Sequence, residues 1–173
     1  MKRKRLIIRT AILLLLISAI SYTLYMNFFH SKGSVEIGDK APLFVLENLQ
    51  GEEVYLEDLQ GKGVFLNFWG TWCEPCKTEM PYMQNQYEYY QGQGVEIVAV
   101  NIAESRVAVK KFVEEYGLTF PVVLDKNRDV SSAYDVGNLP ATYLIDSDGI
   151  IVDIKTGQMT ERDVQQYMEQ IKP

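Results

Sequence analysis

Both cysteines of the chain lie in Trp69-Gly70-Thr71-Trp72-Cys73-Glu74-Pro75-Cys76, where an apolar run gives way to a helical pattern. Thiols at this spacing can close a small disulfide ring. A helix beginning at the first of them also sets its thiolate against unsatisfied backbone N–H groups. The chemistry indicated is dithiol–disulfide exchange. Cys73, at the helix start with an exposed sulfur, is the expected attacking thiol. It would join a substrate sulfur in a mixed disulfide, and Cys76, nearly a turn further in, would resolve that bond and leave Cys73–Cys76 oxidised.

Other uses of the pair fare worse. A structural bridge over so short a loop constrains little of the unfolded chain. Zinc wants four ligands, and the only histidine, His30, lies beside an apolar segment far from the cysteines, which also removes a Cys–His hydrolytic dyad. No metal and no cofactor are expected.

Several neighbours could tune the pair. Glu74 lies between the cysteines, where its charge should oppose thiolate formation and make the pair more reducing. Glu79, three residues beyond Cys76 near Met80 and Met83, is a candidate proton relay to Cys76; an exposed helix carboxylate is the plainer alternative. Leu139-Pro140 precedes an apolar strand, and a proline there cannot donate to a sheet ladder. Pro140 is a candidate cis proline facing the cysteines. Trp69 and Trp72 suit core packing, with Trp72 partly exposed beside Cys73.

The flanking pattern supplies the elements that must hold these groups. Residues 43–46 and 54–56, separated by a turn at 48–51, predict a leading β-hairpin. Val64 to Trp69 is a near-continuous apolar run, as a central buried strand requires. Helical spacing follows over 74–91, with Pro81 expected to kink it. A strand is expected over 95–101, a helix ending at Gly117, a strand over 120–124 and a short helical piece over 130–134. The chain closes with a hairpin over 141–156 and a helix from Thr160, capped with the help of Asp163. Alternating strands and helices imply an α/β fold, a largely parallel sheet between helical layers.

The amino terminus reads differently. A basic cluster, Lys2 to Arg5, precedes a long apolar stretch from Ala11 to Met26, near the ~20 residues that cross a bilayer core. The positive flank keeps that end in the cytoplasm, so the rest of the chain should be extracytoplasmic on a single-pass anchor in the cell membrane. A cleaved signal peptide ending near Ala19-Ile20-Ser21 competes, but apolar and aromatic residues continue to Phe29. The expected organisation is a basic cluster, anchor and start of a tether over 1–32, and one domain over 33–173.

At 173 residues and 47% hydrophobic, the chain can bury one core without stapling. Six of its 17 basic residues lie in the first 32 positions with no acid among them; the other 11 face all 23 acidic residues, leaving −12 on the remainder. Such a domain lacks the basic surface that nucleic acid needs.

Taken together, Phe68 to Cys76, Pro81 and Leu139-Pro140 resemble the thioredoxin superfamily. The apolar amino terminus, Ile37-Gly38-Asp39-Lys40-Ala41-Pro42, Glu79 and Glu104 narrow the resemblance to ResA-type membrane-anchored thiol-disulfide oxidoreductases. That resemblance implies a thioredoxin-like central mixed sheet flanked by helices, an N-terminal β-hairpin and an inserted strand–helix unit within residues 102–125. It implies a cis bond at Pro140 and active-site roles for Glu79 and Glu104, with Trp72, Glu74, Pro75, Leu139 and Pro140 in support. It also implies reduction of the disulfide in the haem-binding Cys-x-x-Cys-His motif of apocytochrome c, and electrons from a CcdA-like membrane protein. Related proteins with the same architecture serve endospore cortex synthesis. A peroxiredoxin-like peroxidase would need Pro-x-x-x-Thr-x-x-Cys, but residue 70 is Gly and Thr71 is two before Cys73. A non-catalytic apocytochrome docking module is the remaining alternative.

Overall fold

The computed structural model describes residues 2–29 and 35–173, and the chain divides into two units, Met1–Gly33 and Ser34–Pro173. The expected boundary after residue 32, the start of the tether at Ser31, and His30 lie outside the described residues.

The first unit holds one helix, α1 (Lys2–Phe29). Its segment Arg3–Tyr25 is long and apolar enough to cross a membrane. Leu13 to Leu16 and Ile17 are all exposed, so the apolar surface runs round the helix rather than forming one stripe.

The second unit is built on a seven-stranded sheet in the order β2-β1-β5-β4-β3-β6-β7. The strands are β1 (Val45–Asn48), β2 (Glu53–Tyr55), β3 (Gly63–Trp69), β4 (Val95–Ile102), β5 (Val122–Asp125), β6 (Ala141–Ile145) and β7 (Ile151–Thr156). β3, β4 and β5 run parallel, while β6 and β7 and the β1–β2 hairpin pair antiparallel. Where sequential strands are neighbours, the connection decides the sense: β3–β4 and β4–β5 are joined through helices and run parallel, while β1–β2 and β6–β7 are joined through short turns and run antiparallel. Every residue of β3 is buried, as the unbroken apolar run requires.

The helices are α2 (Glu74–Tyr90), α3 (Arg106–Tyr116), α4 (Asp129–Ala133) and α5 (Glu161–Ile171). α2 continues through Pro81, which is exposed. Gly117 ends α3 at φ 63°, and Thr160 and Asp163 form a reciprocal capping box on α5. The unit α3–β5 occupies the expected insertion. Its strand joins hairpin to core, because β1 pairs with β5 rather than with the central strands. β5 starts at Val122, two residues later than the apolar pattern predicts. Pro121 has no N–H for the ladder and contributes its carbonyl, which accepts from Ala99 N at 2.9 Å.

Side chains on the two sheet faces form two cores. Phe65, Trp69, Ile97 and Leu144 meet α2 and α5 on one face; Leu66, Phe68, Val98 and Tyr143 meet Phe44, Val130 and Tyr134 on the other. Gly63 permits close packing of α5, since a Cβ there would lie 2.0 Å from the Ile171 carbonyl oxygen.

Candidate active site

β3 delivers the chain to the carboxyl end of the parallel strands at Trp69, and α2 begins five residues later, so the cysteines sit where strand turns into helix. Cys73 is the N-cap of α2, with extended backbone, and its Sγ accepts the Cys76 N–H at 3.3 Å. Pro75 lies in the first helical turn, where a missing N–H costs nothing. The sulfurs are joined in a Cys73–Cys76 disulfide. In this disulfide Cys73 is only 5% exposed and Cys76 is fully buried. The exposed sulfur expected at Cys73 is therefore largely covered in the oxidised state; of the two cysteines, only Cys73 keeps an edge at the surface.

Trp72 and Trp69 part company. Trp69 is buried and packs on Phe112 with ring centroids 4.9 Å apart. Trp72 is 66% exposed. A Cβ at Gly70 would come within 2.9 Å of the Trp72 ring, so only glycine lets the indole lie where it does.

Glu74 is exposed, and Lys77 Nζ sits 2.9 Å from its carboxylate. The charge expected to oppose the Cys73 thiolate is thus paired with a lysine. The Lys77 charge offsets it, and Glu74 holds the Lys77 ammonium above its usual range.

Glu79, by contrast, is fully buried, and both partners of its carboxylate are neutral donors. The exposed-helix alternative is thereby excluded. Its Oε1 accepts from Asn67 Nδ2 at 3.0 Å and its Oε2 from the Met159 N–H at 3.2 Å. Burial pushes its pKa up to about 7, against the pull of those two hydrogen bonds. Glu79 lies three residues after Cys76, on the same inward side of α2.

Glu104 acts on the loop before Cys73. Its carboxylate accepts from the Thr71 N–H at 2.7 Å, from the Thr71 hydroxyl, and from Asn101 Nδ2 at 2.7 Å. Ala103, just before it, adopts φ 57°, a left-handed conformation uncommon for alanine. Thr71 is thus committed to Glu104, and position 70, where a peroxidase pattern needs threonine, is glycine.

The Leu139–Pro140 bond is cis. β6 pairs antiparallel with β3 through Phe68↔Ala141, so Pro140 lies at the same end of the sheet as Trp69 and the loop that leads to Cys73. Leu139 packs against both cores. The Pro140 carbonyl accepts from Gly157 N at 2.8 Å.

Sequence reasoning missed Asn67, Thr142, Asn101, Thr71 and the Met159 amide. The available signal was polarity out of place: Asn67 interrupts an otherwise apolar buried strand, and a buried polar side chain requires partners. Among the described residues, no group of acidic, histidine and cysteine side chains is arranged to hold a metal ion.

A helix N-terminus capped by one cysteine of a Cys-x-x-Cys disulfide, against a thioredoxin-like mixed sheet with a cis proline at the same end, defines a thiol-disulfide oxidoreductase. The sequence model of the AhpC/TSA family matches residues 37–154. Thiol-disulfide oxidoreductase ResA of Bacillus subtilis is 57% identical over 172 residues, covering 99% of this chain and 96% of that relative. The ResA protein of Geobacillus kaustophilus is 55% identical over 172 residues, covering 99% of each. Among solved structures, a putative thiol:disulfide interchange protein DsbE from Chlorobium tepidum matches with a TM-score of 0.76 at 30% identity, over 81% of this chain and 100% of that one. The chain belongs to the ResA family of thiol-disulfide oxidoreductases, within the broader AhpC/TSA family.

Proposed function

We propose that this oxidoreductase works as a reductant: a membrane-anchored, extracytoplasmic domain that reduces the Cys-x-x-Cys-His disulfide of apocytochrome c before haem attachment. The observation that carries the direction of electron flow is the buried Glu79 behind the disulfide. An ionised carboxylate in the core near Cys76 opposes a second negative charge there. Poorly stabilised thiolates favour the oxidised pair, and hence a reducing couple.

In the forward step the Cys73 thiolate attacks one sulfur of the substrate disulfide, and the other leaves as a thiolate. Cys76, after losing its proton, attacks Cys73 Sγ and releases the second substrate sulfur. Two electrons pass to the substrate, and the Cys73–Cys76 disulfide is the product. Glu79 takes the proton that Cys76 loses, and gives one back when a CcdA-like membrane donor reduces the pair again. The charge-flanked apolar helix α1 supports anchoring with the amino terminus in the cytoplasm, in a two-part chain with the anchor over 1–32 and the domain over 33–173.

Replacing Cys76 by Ala blocks resolution and should leave a Cys73-linked mixed disulfide. Recovery of apocytochrome c in that adduct, and its loss in the Cys73→Ser variant, is the expected result. Adducts with other exported proteins alone, such as those of endospore cortex synthesis, would overturn the substrate assignment. Cytochrome bound without any covalent link, by a protein that reduces nothing, would overturn the reductase itself.

A further inference from the structure

Asn67 stands alone as a polar residue in β3, with no exposed surface. Its amide nitrogen donates at 3.0 Å to Glu79 Oε1 and at 3.0 Å to Thr142 Oγ1. Its carbonyl oxygen Oδ1 is buried and has no hydrogen-bond partner among the described residues. The other Glu79 oxygen faces a second donor, the Met159 N–H. This surrounding suits a carboxylate. A protonated Glu79 must instead donate an O–H, and the unpaired acceptor at hand is carried by its own partner, Asn67.

The two ends of a carboxamide are nearly the same size, so turning one over needs no repacking. The Thr142 hydroxyl both donates and accepts, and can serve either orientation. Once the acid forms, its O–H is a buried donor that costs of the order of 1–3 kcal/mol if left unpaired; turning the amide brings the Asn67 oxygen to it, at the expense of moving the amide N–H2 to the position that Oδ1 now holds. We propose that Asn67, backed by Thr142, is a positioning residue whose side-chain amide turns over with the protonation state of Glu79, offering N–H to the carboxylate and C=O to the acid.

Few other ionisable groups surround this network. On α2 itself the neighbour is Cys76, while Glu74 and Lys77 pair with each other near the surface. β3 and the segment 157–160 contribute none. On β6, Tyr143 belongs to the opposite core and donates to the Tyr134 carbonyl. Half-buried Lys155 of β7 lies opposite Thr142 in register, and its charge acts on Asp163. α5 turns Val164, Met168 and Ile171 inward; Glu161 holds Asn85 and Gln86, and Asp163 caps the helix at Thr160. β4 carries Glu96, bound to Tyr87 and Lys62.

The functional value of this turn rests on the proposed proton relay through Glu79, but its test does not. In the oxidised full-length chain in detergent micelles, the isotope-labelled carboxyl resonance of Glu79, identified by its loss in Glu79→Gln, reports the titration directly. The Asn67 side-chain amide resonances should shift with the same midpoint, and that step should vanish in Glu79→Gln. In Asn67→Leu the Glu79 midpoint should rise by about one pH unit, because a hydrogen bond to a carboxylate is about twice as strong as one to a neutral acid. Amide resonances that stay put across the Glu79 midpoint would overturn the proposal, whether or not the leucine variant folds. So would a folded Asn67→Leu chain with an unmoved midpoint. Thiol-exchange kinetics of Glu79→Gln judge the relay separately.

Discussion

The Thr71 amide nitrogen lies 2.7 Å from Glu104 Oε2, across 33 residues of sequence. That contact ties the end of β4 to the loop that carries Cys73. With Asn101 donating to the same oxygen and Ala103 held at φ 57°, the β4–α3 corner is shaped around one carboxylate. The loop before the reactive sulfur is thereby fixed by a side chain from the β4–α3 corner as well as by its own backbone, where Cys73 N donates to the Gly70 carbonyl at 3.1 Å. Pre-set loops of this kind keep a nucleophile within reach of its target geometry.

Replacing Glu104 by Gln puts an amide N–H2 against donors that now find carboxylate oxygens. A lost charge-assisted hydrogen bond with a donor left unpaired should cost about 2 kcal/mol of stability. Urea denaturation at neutral pH, with an unchanged slope and a lowered midpoint, is the expected readout. An unchanged midpoint would mean that Glu104 holds nothing.

Glu79 links stability to pH. Its pKa rises from the ordinary carboxylate value, 4.5, in the unfolded chain to about 7 in the folded one. Between those values the folded protein keeps a proton that the unfolded chain has lost, so stability is highest below the lower value and falls as pH rises through the upper one. At ~1.4 kcal/mol per unit, this group alone removes roughly 3 kcal/mol across the window. Denaturation of wild type and Glu79→Gln, both oxidised, should show wild type losing that much relative to the variant between mildly acidic and slightly alkaline pH. Parallel stability curves would contradict a buried, proton-holding Glu79.

Much of this architecture was legible along the chain because it depends on local pattern. The run Val64–Trp69 marks a strand buried on both faces, Gly117 a left-handed helix stop, and Thr160 with Asp163 a capping box. Cys73 and Cys76 announce themselves by spacing. The site's supports were not legible for a physical reason: they join distant positions. Asn67 reaches Glu79 over 12 residues and Thr142 over 75, and Met159 reaches Glu79 over 80. No periodicity encodes such pairs. The Lys77 partner of Glu74 is the local exception, one helical turn away at i+3.

Gly63 should tolerate no side chain. In Gly63→Ala the new methyl would meet the Ile171 carbonyl oxygen at 2.0 Å, and backbone cannot swing aside as a flexible side chain does. The strain of forced overpacking is typically about 1–3 kcal/mol, and the upper end is expected for a clash with backbone. Thermal denaturation should show a lowered midpoint with the Cys73–Cys76 pair still able to exchange in the folded population. A variant as stable as wild type would mean that α5 is free to move away from β3.

Trp72 offers the sharpest separation between binding and chemistry. An indole 66% exposed beside the reactive cysteine contributes little to the core, so Trp72→Ala should change stability by no more than about 0.5 kcal/mol. Its exposed apolar face is suited to a protein surface, where aromatic anchors dominate contact energy. Exchange with a small dithiol should therefore proceed at the wild-type rate, while reduction of a protein disulfide slows about tenfold, the equivalent of ~1.4 kcal/mol of lost contact. Gly70→Ala supplies an independent check. Its methyl would press within 2.9 Å of the Trp72 ring and drive the indole from its place without deleting it. The same selective slowing in both variants would assign the effect to where the ring sits. Equal slowing toward small and protein disulfides would instead place Trp72 in the chemistry of Cys73 itself.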